Sequence, residues 1–289
     1  MRTTAAILLL CVLSGAQEAK PEKDKARKDP AAAALLNQAV AAQGKLKPAE
    51  IEDLYVQFIG QVREKNQPSH SITREYWFRA KDKSFRVRTY GNVNQRDSQA
   101  ESGVFGGRPA VYWEWARERR MPLSISNREH VKNIKSIQKE RSDFERILRI
   151  VLLARIDTEQ TTLKLDQPEK ITIDSPNSAG AIFPDRDSAY RVLLLQRRGA
   201  DPLRLYLHPK DLTVRKVVQL DRHNPTRARF YYYLGAYAKS GELNLPRYIS
   251  VHNALPTKET REKSTQLSGR LTVKVNRGLE DDIFQPESR

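Results

Sequence analysis

The chain has 289 residues, 39% hydrophobic and 30% charged, the proportions of a globular protein and not of a disordered one. Lys and Arg number 51 against 35 Asp and Glu, a net charge of +16 that favours anionic partners such as phospholipid headgroups or acidic polymers. The basic residues are scattered, without the runs of like charge that nucleic-acid arms carry, and the lone Cys11 lies in an apolar N-terminal stretch, so a processed chain would hold no disulfide, thiolate metal site or cysteine nucleophile.

In chain order, Arg2 precedes nine apolar residues, 5–13, and Ser14-Gly15-Ala16 then supply small residues at the −3 and −1 positions of a cleavage site. This is the pattern of an export signal over residues 1–16, and the run is too short to span a bilayer. Leu10 before Cys11 argues against lipidation there. Residues 17–30 are charged and free of aromatics and read as a flexible leader. Residues 31–289 read as one domain. No later segment reaches 18 apolar residues, so the processed chain is expected to be soluble.

The body opens with an Ala-rich helix over 31–43, stopped by Gly44. Strands are expected over 51–63, with Gly60 as a bulge, over 70–80, and over 85–89 after the turn Lys81-Asp82-Lys83. Residues 92–107 are polar and glycine-bearing and read as a loop, and Val111, Trp113 and Trp115 alternate as a further strand. Val131, Ile134, Ile137, Phe144, Ile147, Leu148 and Val151 recur at three- and four-residue steps, predicting a helix over 128–156 capped by Ser126 or Asn127. Its end, 147–156, is apolar nearly all round, which argues burial. Seven more strands are expected over 161–165, 189–197, 203–208, 213–221, 229–238, 247–253 and 269–276. The fold class is mainly β (α+β): antiparallel strands in a strongly curved sheet, with helices across its open side.

Catalytic chemistry has little support. The five histidines, His70, His130, His208, His223 and His252, show no zinc spacing. Asp185-Arg186-Asp187 and Glu280-Asp281-Asp282 lack the spacing of a calcium loop and read as solvated turns. Ser136 and Lys139 match Ser-x-x-Lys without the accompanying Ser-Asp-Asn and Lys-Thr-Gly elements. We expect no catalytic residues, no metal and no cofactor. Strand alternation places Phe85, Val87, Val111, Trp113, Trp115, Val192, Leu194, Leu205, Phe230, Tyr232 and Val273 on one face, with Ile147 and Val151 of the second helix toward it. Such a set is either a closed core or the wall of an apolar cavity.

Four passages carry a resemblance. Residues 203–212 (LRLYLHPKDL) resemble a strand ending in an Asp-Pro-x-x-Gly turn, with His208 and Leu212 in place of the Asp and Gly; residues 214–220 resemble the strand that follows. Residues 241–249 (GELNLPRYI) resemble a Gly-x-x-x-Pro-x-x-Ile strand entry, and residues 273–286 a closing Val-x-x-Asn-x-x-Leu-x-x-x-x-Phe-x-Pro. In these passages the chain resembles the LolA-like family of outer-membrane lipoprotein-sorting proteins and periplasmic lipid carriers, and the order of helix then strand over 35–62 agrees with it. The resemblance implies an unclosed antiparallel β half-barrel lidded by helices, in the periplasm. The cavity set, Phe85, Val87, Val111, Trp113, Trp115, Ile147, Val151, Leu194, Leu205, Phe230, Tyr232 and Val273, would hold the acyl chains of a lipid or lipoprotein bound for the outer membrane. It implies a monomer served by membrane-bound donor and acceptor proteins, with no nucleic acid. An envelope scaffold or lipid-sensing protein of the same fold is the alternative.

Overall fold

The computed structural model describes residues 29–44, 50–63, 68–93, 96–105, 108–112, 120–122, 128–153, 156, 158–171, 188–255 and 266–284. The expected signal and leader (to residue 28), Trp113, Trp115, Ser126, Asn127 and Asp185 to Asp187 lie outside them.

The first helix, α1 (Pro30–Gln43), begins where Asp29 accepts the Ala31 N–H at 2.9 Å, with Pro30 in its first turn. Ala32, Leu35, Leu36 and Ala39 form its buried stripe. It ends at Gly44, whose φ is +141°. A Cβ there would lie 2.7 Å from the Leu243 side chain and 2.9 Å from the Glu242 carbonyl, so both backbone and space call for glycine.

The strands that follow are β1 (Asp53–Arg63), β2 (His70–Arg79), β3 (Ser84–Val93), β4 (Arg96–Phe105), β5 (Arg108–Tyr112) and β6 (Arg120–Pro122). Helix α2 (Arg128–Val151) separates them from β7 (Thr161–Lys170), β8 (Ala189–Arg197), β9 (Leu203–Leu207), β10 (Val214–Asp221), β11 (Asn224–Gly235), β12 (Ala238–Ser240), β13 (Leu243–Leu245), β14 (Tyr248–His252) and β15 (Gln266–Val275). Thirteen of them form one sheet, in the order β6-β5-β4-β3-β2-β1-β15-β14-β11-β10-β9-β8-β7, while β12 and β13 pair as a separate hairpin. Every recorded pairing is antiparallel. The edge strands β6 and β7 do not meet, so the sheet is unclosed. A sheet this wide must coil. Its inner face and both helices share one buried cluster, from Tyr76 and Phe85 through Phe144 to Leu193 and Leu205.

Several expectations are corrected. Residues 92–107 are not a loop: β3 runs to Val93, and β4 pairs with it from Phe85↔Val104 to Val93↔Arg96. Backbone pairing defines this hairpin extension, which the polar composition does not signal. Strand β7 continues past residue 165 to Lys170. Pro168 is tolerated on this edge strand because the register shifts between Asp166 and Glu169. Strand β11 begins at Asn224, ahead of the expected residue 229.

Gly60 is not a bulge. It pairs in register with Gly269 and Ile72. A Cβ on Gly60 would lie 2.3 Å from the Ser268 carbonyl, and one on Gly269 would lie 2.3 Å from the Ile59 carbonyl, so the pair marks a close approach of two backbones. Asp281 and Asp282 are exposed, as expected, and Asp281 also makes ion pairs. Its carboxylate pairs with the buried Arg79 side chain and stands 3.7 Å from Lys81 Nζ.

Candidate functional site on the inner face

The inner face of the sheet is built by residue parity. On β1, Leu54, Val56 and Phe58 point inward; Leu54 and Val56 pair with Phe78 and Tyr76 of β2, which pair in turn with Phe85 and Val87 of β3. Helix α2 lays Phe144 onto this wall, with its ring 4.8 Å from Tyr76 and 5.3 Å from Phe85. On the other side Tyr232, Val217, Leu205 and Leu193 pair in sequence across β11, β10, β9 and β8. The C-terminal end of α2 is buried through Ile150, Val151, Leu152 and Leu153, as its apolar run predicts.

Of the expected cavity residues, the structure gathers Phe85, Val87, Val151, Leu205, Tyr232 and Val273 into this one cluster, with Ile147 and Phe230 partly buried against it. Val111 pairs in register between Ser102 and Met121. Trp113 and Trp115 lie outside the described residues. Val192 and Leu194 are corrections. Both pack on the opposite, outer face with Tyr190 and Tyr206, while Leu193 and Leu195 point inward. The run Val192-Leu193-Leu194-Leu195 is apolar in both parities, so alternation alone leaves its phase open.

The two ends of the inner face differ. The end where β1 begins is sealed. Asp53 accepts the backbone N–H groups of Arg277, Gly278 and Leu279 at 2.8, 2.8 and 3.1 Å. Asn276 accepts from Glu52 N (2.8 Å) and donates to the Glu50 carbonyl (2.6 Å). The chain then carries Phe284 under the Arg79 guanidinium, 4.6 Å from the ring centroid, while Arg86 donates to the Ile283 carbonyl at 2.5 Å. Leu243 and Leu245 of the small hairpin are buried at the same end, where Ser240 Oγ donates to the Val273 carbonyl at 2.9 Å. The tips of α1 and α2 are joined by Gln43. Its amide donates to the Val151 carbonyl, and its carbonyl accepts from Leu153 N at 2.9 Å.

Among the described residues, the opposite end carries an apolar rim. Val62, Leu267 and Val251 follow one another across β1, β15 and β14, and Phe230 of β11 and Leu203 of β9 both pair with Gln219 of β10. All five are apolar, face inward and are only partly buried. Arg146 of α2 lies over Phe230, 5.6 Å from its ring. Beside them runs a short polar relay. Tyr232 donates to Gln219 Oε1 (3.1 Å), and Gln219 donates to Asp201 (2.6 Å), which also accepts from Arg229 (3.0 Å). Burial pushes the Tyr232 hydroxyl pKa up, which keeps it a donor. An apolar surface with one satisfied polar strip suits a hydrocarbon chain and offers no activated nucleophile. Among the described residues no three His, Cys, Asp or Glu side chains gather to hold a metal ion, and no helix is long and apolar enough to cross a membrane.

Sequence reasoning missed Asp53, Gln43 and Arg79, because each acts through a partner far away in the chain. Asn276 and Phe284 were within reach through the closing motif.

No family model and no curated protein matches the chain. Solved structures do. A LolA superfamily protein from Nitrosomonas europaea is 13% identical, with 89% of this chain and 98% of that chain covered and a TM-score of 0.49. A domain described as outer membrane lipoprotein-sorting, from Vibrio parahaemolyticus, is 9% identical, with 87% and 94% covered and a TM-score of 0.48. A chain of the Pseudomonas aeruginosa MucA/MucB complex is 11% identical, with 90% and 100% covered and a TM-score of 0.23.

Proposed function

We propose that the protein is an exported carrier that takes acyl chains of a lipid or lipoprotein onto the inner face of its sheet, entering between β11 and α2, for delivery to the outer membrane. The observation that carries this reading is the asymmetry of the inner face among the described residues, closed at one end by Asp53, Asn276 and Phe284 and bordered at the other by the partly buried Val62, Leu267, Val251, Phe230 and Leu203. A fully satisfied core has no need of an apolar lip, whereas each methylene drawn from water onto such a lip gains about 0.8 kcal/mol.

The test is titration of the delipidated full chain with a fluorescent long-chain fatty acid. Saturable binding near one site per chain is expected. Phe230→Asp, which places a charge on the lip at a half-buried position, should weaken it at least about tenfold, since a charge in an apolar site forfeits more than the 1.4 kcal/mol that a tenfold change represents. Absence of saturable binding to the unmodified chain would overturn the reading.

A further inference from the structure

The end of the inner face that carries the apolar rim runs into a basic cleft. Between the β8–β9 loop and the β10–β11 turn lies a depression of about 590 Å³ lined by Thr162, Gln196, Arg197, Arg198, Arg222 and His223, among others. A neighbouring depression of about 500 Å³ adds Asp201, Asp221 and Arg229. Register fixes its place. Arg197 is two residues beyond Leu195, which pairs with Leu203 of the lip, and Asp221 is two beyond Gln219, which pairs with Phe230.

The charges in the two depressions do not cancel. The carboxylates are Asp201, already held by Gln219 and Arg229, and Asp221, which accepts the His223 N–H at 2.9 Å and whose pKa that bond lowers. Against them stand Arg197, Arg198, Arg222 and Arg229. Two of these are set in place: Arg222 donates to the Gly199 carbonyl (3.3 Å) and to His223 Nε2 (2.8 Å), and Arg197 donates to Gln160 (3.0 Å). A guanidinium oriented by neutral acceptors, as that of Arg222 is here, keeps its charge for phosphate or carboxylate oxygens and loses less freedom on meeting them.

We infer that this cleft receives the anionic group, phosphate or carboxylate, of the lipid whose chains occupy the inner face, so that the cargo class is anionic lipid. The inference rests on the acyl-chain reading above. The juxtaposition supplies the argument: an apolar lip alone would take any chain, whereas a lip ending two residues from an arginine cleft selects a chain that ends in negative charge.

The experiment is competition of phosphatidylglycerol with phosphatidylcholine of identical chains for the delipidated full-length protein, read by native mass spectrometry at low ionic strength. Glycerol 1-phosphate is titrated separately. Phosphatidylglycerol is expected to win by about tenfold. The exposed pair Arg198→Gln/Arg222→Gln should abolish that preference while leaving the melting temperature unchanged. Equal occupancy by the two lipids in the unmodified chain overturns the headgroup assignment and leaves chain binding standing. Binding of neither lipid overturns both. Glycerol 1-phosphate binding as tightly as phosphatidylglycerol would mark a free-anion site and overturn the lipid assignment.

Discussion

His252 shows how one buried side chain sets a pH limit. Its ring meets Tyr233 edge-on at 5.6 Å, and its Nε2 lies 2.7 Å from Ser250 Oγ. Burial holds its pKa down to about 4, against an ordinary 6.5. The folded protein therefore favours the neutral ring, and between pH 6.5 and 4 the unfolded chain binds more protons. This contribution is complete above pH 6.5 and is lost as pH falls toward 4, by about 3 kcal/mol in all. Urea unfolding at pH 7 and pH 4 should show His252→Gln losing about that much less than the unmodified chain, and equal losses in the two proteins would refute the assignment. Leu212 is a second local case. At φ +56° it sits in the left-handed region, at the position where the motif it resembles carries glycine. The turn keeps its shape through the bond from Leu212 N to the His208 carbonyl at 3.0 Å. The motif was legible in the sequence, and the strain became visible only with the backbone.

At the scale of elements, the two helices depend on one amide. Gln43 closes α1 and at the same time satisfies the Val151 carbonyl and the Leu153 N–H where α2 ends. Replacing it with leucine leaves both backbone groups buried without a partner, a cost of about 2–4 kcal/mol. The urea midpoint of Gln43→Leu should fall accordingly with an unchanged slope. An unchanged midpoint would show that the helix tips meet without this link. Both helices were readable from periodicity, because a 3.6-residue stripe is a local signal. Their junction was not, since Gln43 and Leu153 are 110 residues apart. The strands β4, β12 and β13 escaped for a related reason: being short or polar, they are defined by pairing with a neighbour and not by their own composition.

For the whole molecule, the open sheet must protect its edges. Strand β7 is one of them, and it carries Leu165, which is 41% exposed. Two devices blunt it. Pro168 withholds an N–H beside a register shift, and Asp29, just before α1, meets the edge, its N–H donating to the Leu163 carbonyl at 3.0 Å. Pro168→Val would restore a pairing donor next to an exposed leucine. Light scattering after size-exclusion chromatography should then show self-association absent from the unmodified chain, and an unchanged monomer would show that the register shift protects the edge by itself.

The sequence by itself determined the mainly antiparallel class, the two helices with the glycine stop of α1, and the inward parity of Phe85, Val87, Leu205, Tyr232 and Val273, because all of these are written in periods of 2 and 3.6 residues. Its closing motif also pointed to Asn276 and Phe284, which seal one end. Only the tertiary structure decided the phase of Val192 to Leu195, where every residue is apolar, and the meeting of Gly60 with Gly269. It alone placed β15 between β1 and β14, left β6 and β7 apart, and set the arginine cleft beside the apolar lip. Those features are contacts between distant parts of the chain, and a local period carries no information about which distant strand will supply the partner.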